Sequence, residues 1–484
     1  MEILRHLHRF PPGKGAEWGS GGIFGLRYYN NVLYFTLSFD GKAYFLRDDA
    51  KKIYEFELVG EKPVSGGDTY NAVESVDEFI YFGGWIHAPV KFDKERRKIS
   101  FMHKYSHVHA YSTESDEVKL LWKEGAGMED EWAGEVSDII YDPCEDKLLL
   151  CREDGHVNTG IYELGRRGGE ARVINENPCL KGAKVHDFAF FGIGKNFDWG
   201  MREVHVLDLV TRKWQRFSPK ESVDRNPFVL PKLGDVQSAY NRMFAFVRGG
   251  AFIGNPFLGE EIKFFRLFDF PDLYAPIRVN ALPLGGGILA ALNAHHDACF
   301  RSGEDFSEKM SNLISSPSLV IYMAPPSVKI VAALGARVTS MEKMRGKILL
   351  GCNTTPNSET SAFETGNRDV VIFDEKIIRE KPPDLSIAIN GKSLAEFGKK
   401  FNARAFGGIP LEGYKECRMI IHAKSSNALK IYEYDLSLPL EQAEEEKISL
   451  ERGRNSVDLS SFCGVVSFKL EKPVEGKIRI KLLA

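Results

Sequence analysis

The 484-residue sequence predicts an all-β protein: a seven-bladed β-propeller followed by a C-terminal antiparallel β-sandwich of jelly-roll-like kind. Three observations predict it. A unit of four short strands with tight turns recurs seven times between residues 12 and 381, and helix signals are nearly absent there. Beyond Lys381-Pro382-Pro383 the strands become longer and alternate more cleanly, which places a second domain at residues 382–484. Four antiparallel strands in about 45 residues is the size of one propeller blade.

The first copy runs from Glu17 to Leu46, with Asn30-Asn31 and Asp40-Gly41 as hairpin turns, and a fourth strand KKIYEFEL follows Asp48-Asp49. A β-branched residue marks the first strand of each copy: Ile23, Val73, Val136, Val185, Val236, Val279 and Val338. Second strands read VLYFTL, FIYFGG, KLLLC, FFGIG, MFAFV, ILAAL and KILLG. Third strands read KAYFL, PVKFD (or the later HVHAYS), GIYEL, EVHVLDL, IKFFRLF, SLVIYM and DVVIFD. The segment after PVKFD lengthens the second copy and reads as an extra hairpin. SGEDFSEKMSNLIS, capped by Ser302, reads as a helical insertion in the sixth copy. Residues 1–11 form an N-terminal arm that adds a strand to the ring or ties to the second domain. In the C-terminal part, SIAIN, CRMIIHA, ALKIYEYDLSL, KISLER, GVVSFKL and KIRIKLL are strands, SLAEFGKKF a short helix, and Glu441 to Glu446 a solvated loop.

A formal net charge of -3 removes the electrostatic drive toward nucleic acid or anionic membrane. No apolar run reaches membrane-spanning length, and Glu2, Arg5, His6, His8 and Arg9 interrupt the region where a secretory signal would lie, so a cytoplasmic protein is expected. Seven cysteines without a CxxC pair exclude a zinc ribbon, and most read as small buried hydrophobes. Only three glutamines occur among abundant Lys, Arg and Glu, a thermophilic bias that leaves a Cys144–Cys151 bridge open.

FIYFGGW at 79–85, FAFVRGG at 244–250 and VLDLVTRKWQRF at 206–217 resemble kelch repeats. Taken whole, EWGSGGIFGLRYYNNVLYF resembles an uncharacterised family of archaeal, largely hyperthermophilic propeller proteins. That resemblance implies the fold and no catalytic residue.

In a propeller, the loops entering strand one and leaving strand two share one face, and function usually sits there. Residues following the markers are Phe24, Glu74, Ser137, His186, Gln237, Asn280 and Thr339, which suggests a wet channel wall. Glu135, Lys184, Asp235, Arg278 and Arg337 precede markers and bring both signs of charge to the mouth. The loops leaving strand two carry His87, Asp154, His156, His295, His296 and Asp297. The channel-mouth candidates for ligand binding are therefore Glu74, His87, Asp154, His156, His186, Gln237, Arg278, Asn280, His295, Asp297 and Arg337. Imidazoles beside carboxylates suit a divalent metal or acid–base chemistry, and His87, His156, His186 and His295 would be the ligands of such a metal. Of His295 and His296, adjacent on extended backbone, one at most faces a shared site. Trp18 and Trp132 precede first strands and read as junction packing rather than sugar-stacking platforms. Gly285-Gly286-Gly287 has no helix behind it and reads as a hairpin turn, not a phosphate loop.

No P-loop, GxSxG, HExxH or EF-hand run occurs, so no cofactor is expected beyond a divalent metal, and the sequence leaves open whether any reaction is catalysed. The leading expectation is a non-catalytic binding or scaffold propeller that presents this polar face to a protein or small polar ligand. The alternatives are a hydrolase or lyase acting on a carbohydrate-like substrate at the mouth, or a structural subunit of a larger assembly.

Overall fold

The computed structural model describes residues 4–10, 22–93, 95, 98–195, 201–228, 233–270, 279–293, 318–353, 368–401, 405–474 and 476–484. Among the described residues the protein is all-β, mostly strand with a few short helical turns and one helix. The chain divides into two compact units: Met1–Arg216 with Asp297–Ser311 and Val338–Asp374, and Phe217–His296 with Asn312–Arg337 and Glu375–Ala484.

The first unit is a succession of antiparallel sheets in chain order. The first sheet holds Ile23–Tyr29, Val32–Leu37, Lys42–Arg47 and Ala50–Tyr54. The second is built on Phe79–His87 and Lys104–Ser112, which pair along nine residues. PVKFD is therefore not its third strand: Lys91–Asp93 instead pairs with Lys98–Ser100 as the extra hairpin. The third sheet runs Glu135–Asp142, Lys147–Glu153, Gly160–Gly165 and Arg172–Asn175, and the fourth opens with Cys179–Val185. The last joins Arg337–Met344, Lys347–Asn353 and Arg368–Asp374 to the N-terminal strand Leu4–Phe10, so the arm completes a four-stranded sheet from the opposite end of the chain. The Cys144–Cys151 bridge is ruled out by register. Cys144 lies in the exposed turn of a hairpin whose Cys151 faces Asp138 deep in the sheet.

What binds several neighbouring sheets is a carboxylate on the first strand. Glu74 accepts the N–H of Ser75 at 2.8 Å and that of Tyr141, on the next sheet, at 3.4 Å. Asp138 accepts from Ile139 at 3.0 Å and, across the junction, from Gly182 at 3.0 Å. Glu342 accepts from Lys343 at 2.8 Å and from the main chain of Tyr28 on the first sheet. Arg27 continues the series by donating to Val73 O at 3.0 Å. In the second unit Asp235 accepts from Val236 and from Ala281 of the adjoining sheet, both at 2.8 Å. Buried amides must find acceptors, and a carboxylate has lone pairs enough for two. Most of the expected wet wall is spent the same way. Ser137 is fully buried against the carbonyls of Cys151 and Cys179, and Thr339 donates to Ile23 O at 2.6 Å.

The second unit contains the sheets Leu233–Ala239, Arg242–Val247, Gly250–Gly254, Lys263–Arg266 and Asn280–Leu284, Gly287–Leu292, Ser318–Ala324, Ser327–Leu334. The turn at Arg248-Gly249, with Gly249 at φ 79°, makes Gly250–Gly254 the third strand and displaces IKFFR to fourth. Gly285 and Gly286, at φ 55° and 81°, form the expected hairpin turn. Two further four-stranded sheets follow, in the orders Leu385–Asn390, Lys477–Leu483, Glu416–Ala423, Gly453–Asp458 and Ala405–Pro410, Val465–Leu470, Asn427–Tyr434, Glu444–Leu450. Leu385–Asn390 alternates buried and exposed residues strictly, as a one-sided strand must. SLAEFGKKF lies within the helix Gly391–Phe401, whereas the acidic run is half strand, since Glu444 opens an exposed edge. The helix expected at SGEDFSEKMSNLIS and Trp18 lie outside the described residues.

A buried ionic node ties these last sheets to the rest of their unit. Arg266 is fully buried, donates to Asp224 at 2.6 Å and pairs with Asp269. Ser467 donates to Asp224 at 2.7 Å, Tyr434 to the Arg266 carbonyl at 2.9 Å, and Asp269 exchanges main-chain hydrogen bonds with Gly407. These last sheets fall in the same compact unit as the sheets formed by residues 233–266 and 280–334.

Two outcomes are expected. Asp138→Ala strands two buried amides and should lower unfolding free energy by about 1–3 kcal/mol, read by denaturant titration. The second concerns His109, which contacts Tyr54 Oη at 2.9 Å and His107 at 3.0 Å; burial and the neighbouring His107 hold its pKa well below the ordinary 6.5. A depressed folded pKa means that below 6.5 the unfolded chain binds a proton that the folded one refuses, so this stability is complete above 6.5 and lost on acidification. The stability of wild type relative to His109→Gln should therefore fall as the pH drops below 6.5, by up to about 1.4 kcal/mol per pH unit. A pH-independent difference would contradict this.

Candidate functional site

The predicted residues that come together lie in the first unit, where the loop leaving the second strand of the third sheet meets the loop entering its first. Ala133 and Val157 form a parallel bridge. Gly134 N–H donates to Val157 O, and His156 N–H to Trp132 O, each at 2.8 Å. The Trp132 indole N–H donates to Asp154 O at 2.6 Å, and Tyr70 Oη to Asp154 Oδ2 at 3.1 Å. Gly155 permits this approach, because a Cβ there would lie 2.2 Å from Gly134 N. Asp154 is thus held half-buried at both its carbonyl and its carboxylate, and His156 stays exposed with its ring edge-on to Trp132, centroids 4.2 Å apart.

Behind this rim lies Lys104. Its ammonium sits over the Trp85 and Trp132 rings, 4.6 Å from each centroid, and 5.8 Å from that of Phe101. Burial lowers its pKa, while Asp154 and Glu135 oppose that shift. Thr69 donates to Glu135 at 2.6 Å, and Glu135 is the register partner of Glu153; both carboxylates are buried. Two indole faces and nearby carboxylates are a good environment for a desolvated ammonium, which locks adjacent sheets together. His87 packs against Trp85 and Phe101, and burial, with Lys104 nearby, pushes it down to about 3, so it is a neutral packing residue.

The remaining predicted residues separate. Glu74 is a sheet clamp. His186 is misplaced by the marker: Val185 ends its strand instead of starting it, so His186 occupies the exposed turn before Phe188, at the far end of the sheet from the Asp154 loop. A metal shared by His156 and His186 is geometrically excluded, and among the described residues no three His, Cys, Asp or Glu side chains are placed to hold an ion. In the second unit, Gln237 donates to Asp235 at 3.2 Å and Asn280 is buried; Arg337 is buried where the strand Arg337–Met344 starts. Arg278, His295 and Asp297 lie outside the described residues. Sequence reasoning missed Lys104, Trp85, Phe101, Tyr70 and Glu135 as one cluster. A signal existed: taking HVHAYS as the third strand puts Lys104 at its start, level with His87.

A separate concavity of about 410 Å³ lies in the second unit, where Glu412, Glu433, Asp435, Glu441 and Glu444 gather. Glu433 is already engaged there by the N–H groups of Cys463 and Gly464, at 2.7 and 2.8 Å.

The chain belongs to a family described as uncharacterized protein conserved in archaea (DUF2139), whose model matches residues 33–361. A search of curated proteins found no match. Among solved structures, an exo-beta-1,3-galactanase from Phanerochaete chrysosporium with beta-1,3-galactotriose overlaps 85% of this chain and 94% of its own, at 7% identity and a TM-score of 0.29. An S. cerevisiae assembly of dbp5 bound to nup159 and gle1 overlaps 59% and 71%, at 10% identity and 0.31. Overlaps this weak say nothing of activity.

If the Lys104 ammonium is what clamps Trp85 and Trp132, Lys104→Met, which keeps the volume and removes the charge, should cost about 0.5–2 kcal/mol and shift tryptophan emission. Unchanged stability and emission would show that the packing alone suffices.

Proposed function

We propose that this member of the archaeal family is a non-catalytic, cytoplasmic seven-bladed β-propeller with a C-terminal β-sandwich, and that it binds a small polar ligand at the rim formed by Asp154 and His156. The carrying observation is preorganisation. Both loops of the rim are pinned by main-chain and indole hydrogen bonds while His156 stays exposed, so a ligand meets polar groups already in place. Binding to such a rim spends little free energy on ordering side chains. Asp154 offers an acceptor to ligand hydroxyl or amino groups, His156, whose Nδ1 accepts the Trp132 main-chain N–H at 3.4 Å, offers its other ring nitrogen, and the charge balance disfavours polyanions. The seven-blade count rests on seven consecutive sheets together with the sevenfold sequence repeat. The thermophilic bias and loose kelch likeness are compatible with this reading and do not decide it.

The catalytic alternative has one favouring observation, the register pairing of buried Glu135 and Glu153. Both lie beneath the rim, where a substrate would have to displace Thr69 to reach Glu135.

The test is a thermal-shift screen with neutral mono- and oligosaccharides, polyols and amino compounds. A ligand at 100 times its Kd adds about 2.7 kcal/mol to apparent stability. At least one class should raise the melting temperature of the wild type, and His156→Ala should weaken that ligand about tenfold or more. A ligand that binds His156→Ala equally would move the site elsewhere.

A further inference from the structure

Sequence reasoning treats the cysteines as small hydrophobes, and four of the six in the described residues fit that or lie alone on the surface. Cys151 and Cys179 differ. Cys151 lies on the second strand of the third sheet, and Cys179 opens the first strand of the fourth. The Ser137 hydroxyl reaches the carbonyl oxygens of both, at 3.1 and 3.3 Å, so the two backbones converge on one atom. The two side chains neighbour each other as well: burial first, and then Cys179, raise the pKa of the Cys151 thiol, and the Cys179 S–H donates to Lys181 O at 3.5 Å. Both residues are fully buried in one apolar cluster with Ile140, Ile161, Phe191 and Ile193.

We propose that Cys151 and Cys179 are a latent dithiol, a modification site that closes to a disulfide cross-linking the third and fourth sheets. The co-reactant is a low-molecular-weight disulfide. The Cys179 thiolate attacks one of its sulfurs and expels a thiolate; Cys151 then attacks the Cys179 sulfur of the mixed disulfide and expels the second. Two cysteine thiols are oxidised, one small disulfide is reduced to two thiols, and the two protons pass to those products. Burial shields both sulfurs from solvent and disfavours their thiolates, so exchange occurs during folding or local opening, and the finished bond resists reductants equally well. The other cysteines lack this arrangement: Cys144 and Cys463 are exposed, and no thiol partner is seen for Cys352 or Cys417 among the described residues.

The full chain is unfolded and refolded with oxidised glutathione, or with excess reductant, then alkylated in guanidinium and mapped by peptide mass spectrometry. The expected result is that two of the seven cysteines escape alkylation, with Cys151 and Cys179 in one linked peptide, and that the oxidised protein melts about 5 °C higher than the reduced one. Cys179→Ser should abolish both differences. Should that variant fail to fold, the wild-type peptide map decides alone. Alkylation of all seven cysteines under both conditions, or a cross-link joining other cysteines, overturns the proposal.

Discussion

The recurring constraint in this protein is a carboxylate that sits on the first strand of a sheet and accepts two amides, one from its own strand and one from the next sheet. Glu74, Asp138, Asp235 and Glu342 all do this. Sheets packed only through apolar faces can slide, because the hydrophobic effect is non-directional. A carboxylate in a sheet junction is directional, and leaving its buried amide partners unsatisfied costs more than the bond contributes. Each clamp therefore fixes the stagger of one sheet on the next.

That constraint also limits function. Polar residues along the first strands look available in the sequence, yet they are consumed by sheet-to-sheet bonds, and so are Ser137 and Thr339. Polar groups reach solvent where backbone leaves the sheets, and of the described loops the one at Asp154 to His156 brings out an exposed His156 while being tightly tied. Its support comes from Lys104 and two tryptophans, an ammonium standing where an apolar side chain would ordinarily fill the junction.

In the second unit a guanidinium has the corresponding role. Arg266 gathers Asp224, Asp269 and, through its carbonyl, Tyr434. Buried ion pairs are not reliable sources of stability, but a half-made one is strongly unfavourable, so such a node selects one arrangement of its elements. Here it selects how the last two sheets join the sheets that precede them in that unit.

The sequence by itself determined the elements that depend on local chemistry. Hairpin turns at Asn30-Asn31 and Gly285-Gly286, the alternation of Leu385–Asn390, the helix over SLAEFGKKF and the repeat of strands follow from backbone preference and side-chain period, which neighbours alone specify. The tertiary structure decided everything that depends on register. Bulges between Val136 and Asp138, Cys179 and Lys181, and Leu233 and Asp235 shift the strands by one residue and hid the clamps, while taking Val185, the last residue of its strand, as a first-strand marker misassigned His186. A bulge is a response to the neighbouring sheet's twist and packing, and a one-residue slip exchanges the faces of a strand. For that reason Lys104, Trp85 and Trp132, on separate stretches of chain, became one site only when their sheets were packed together.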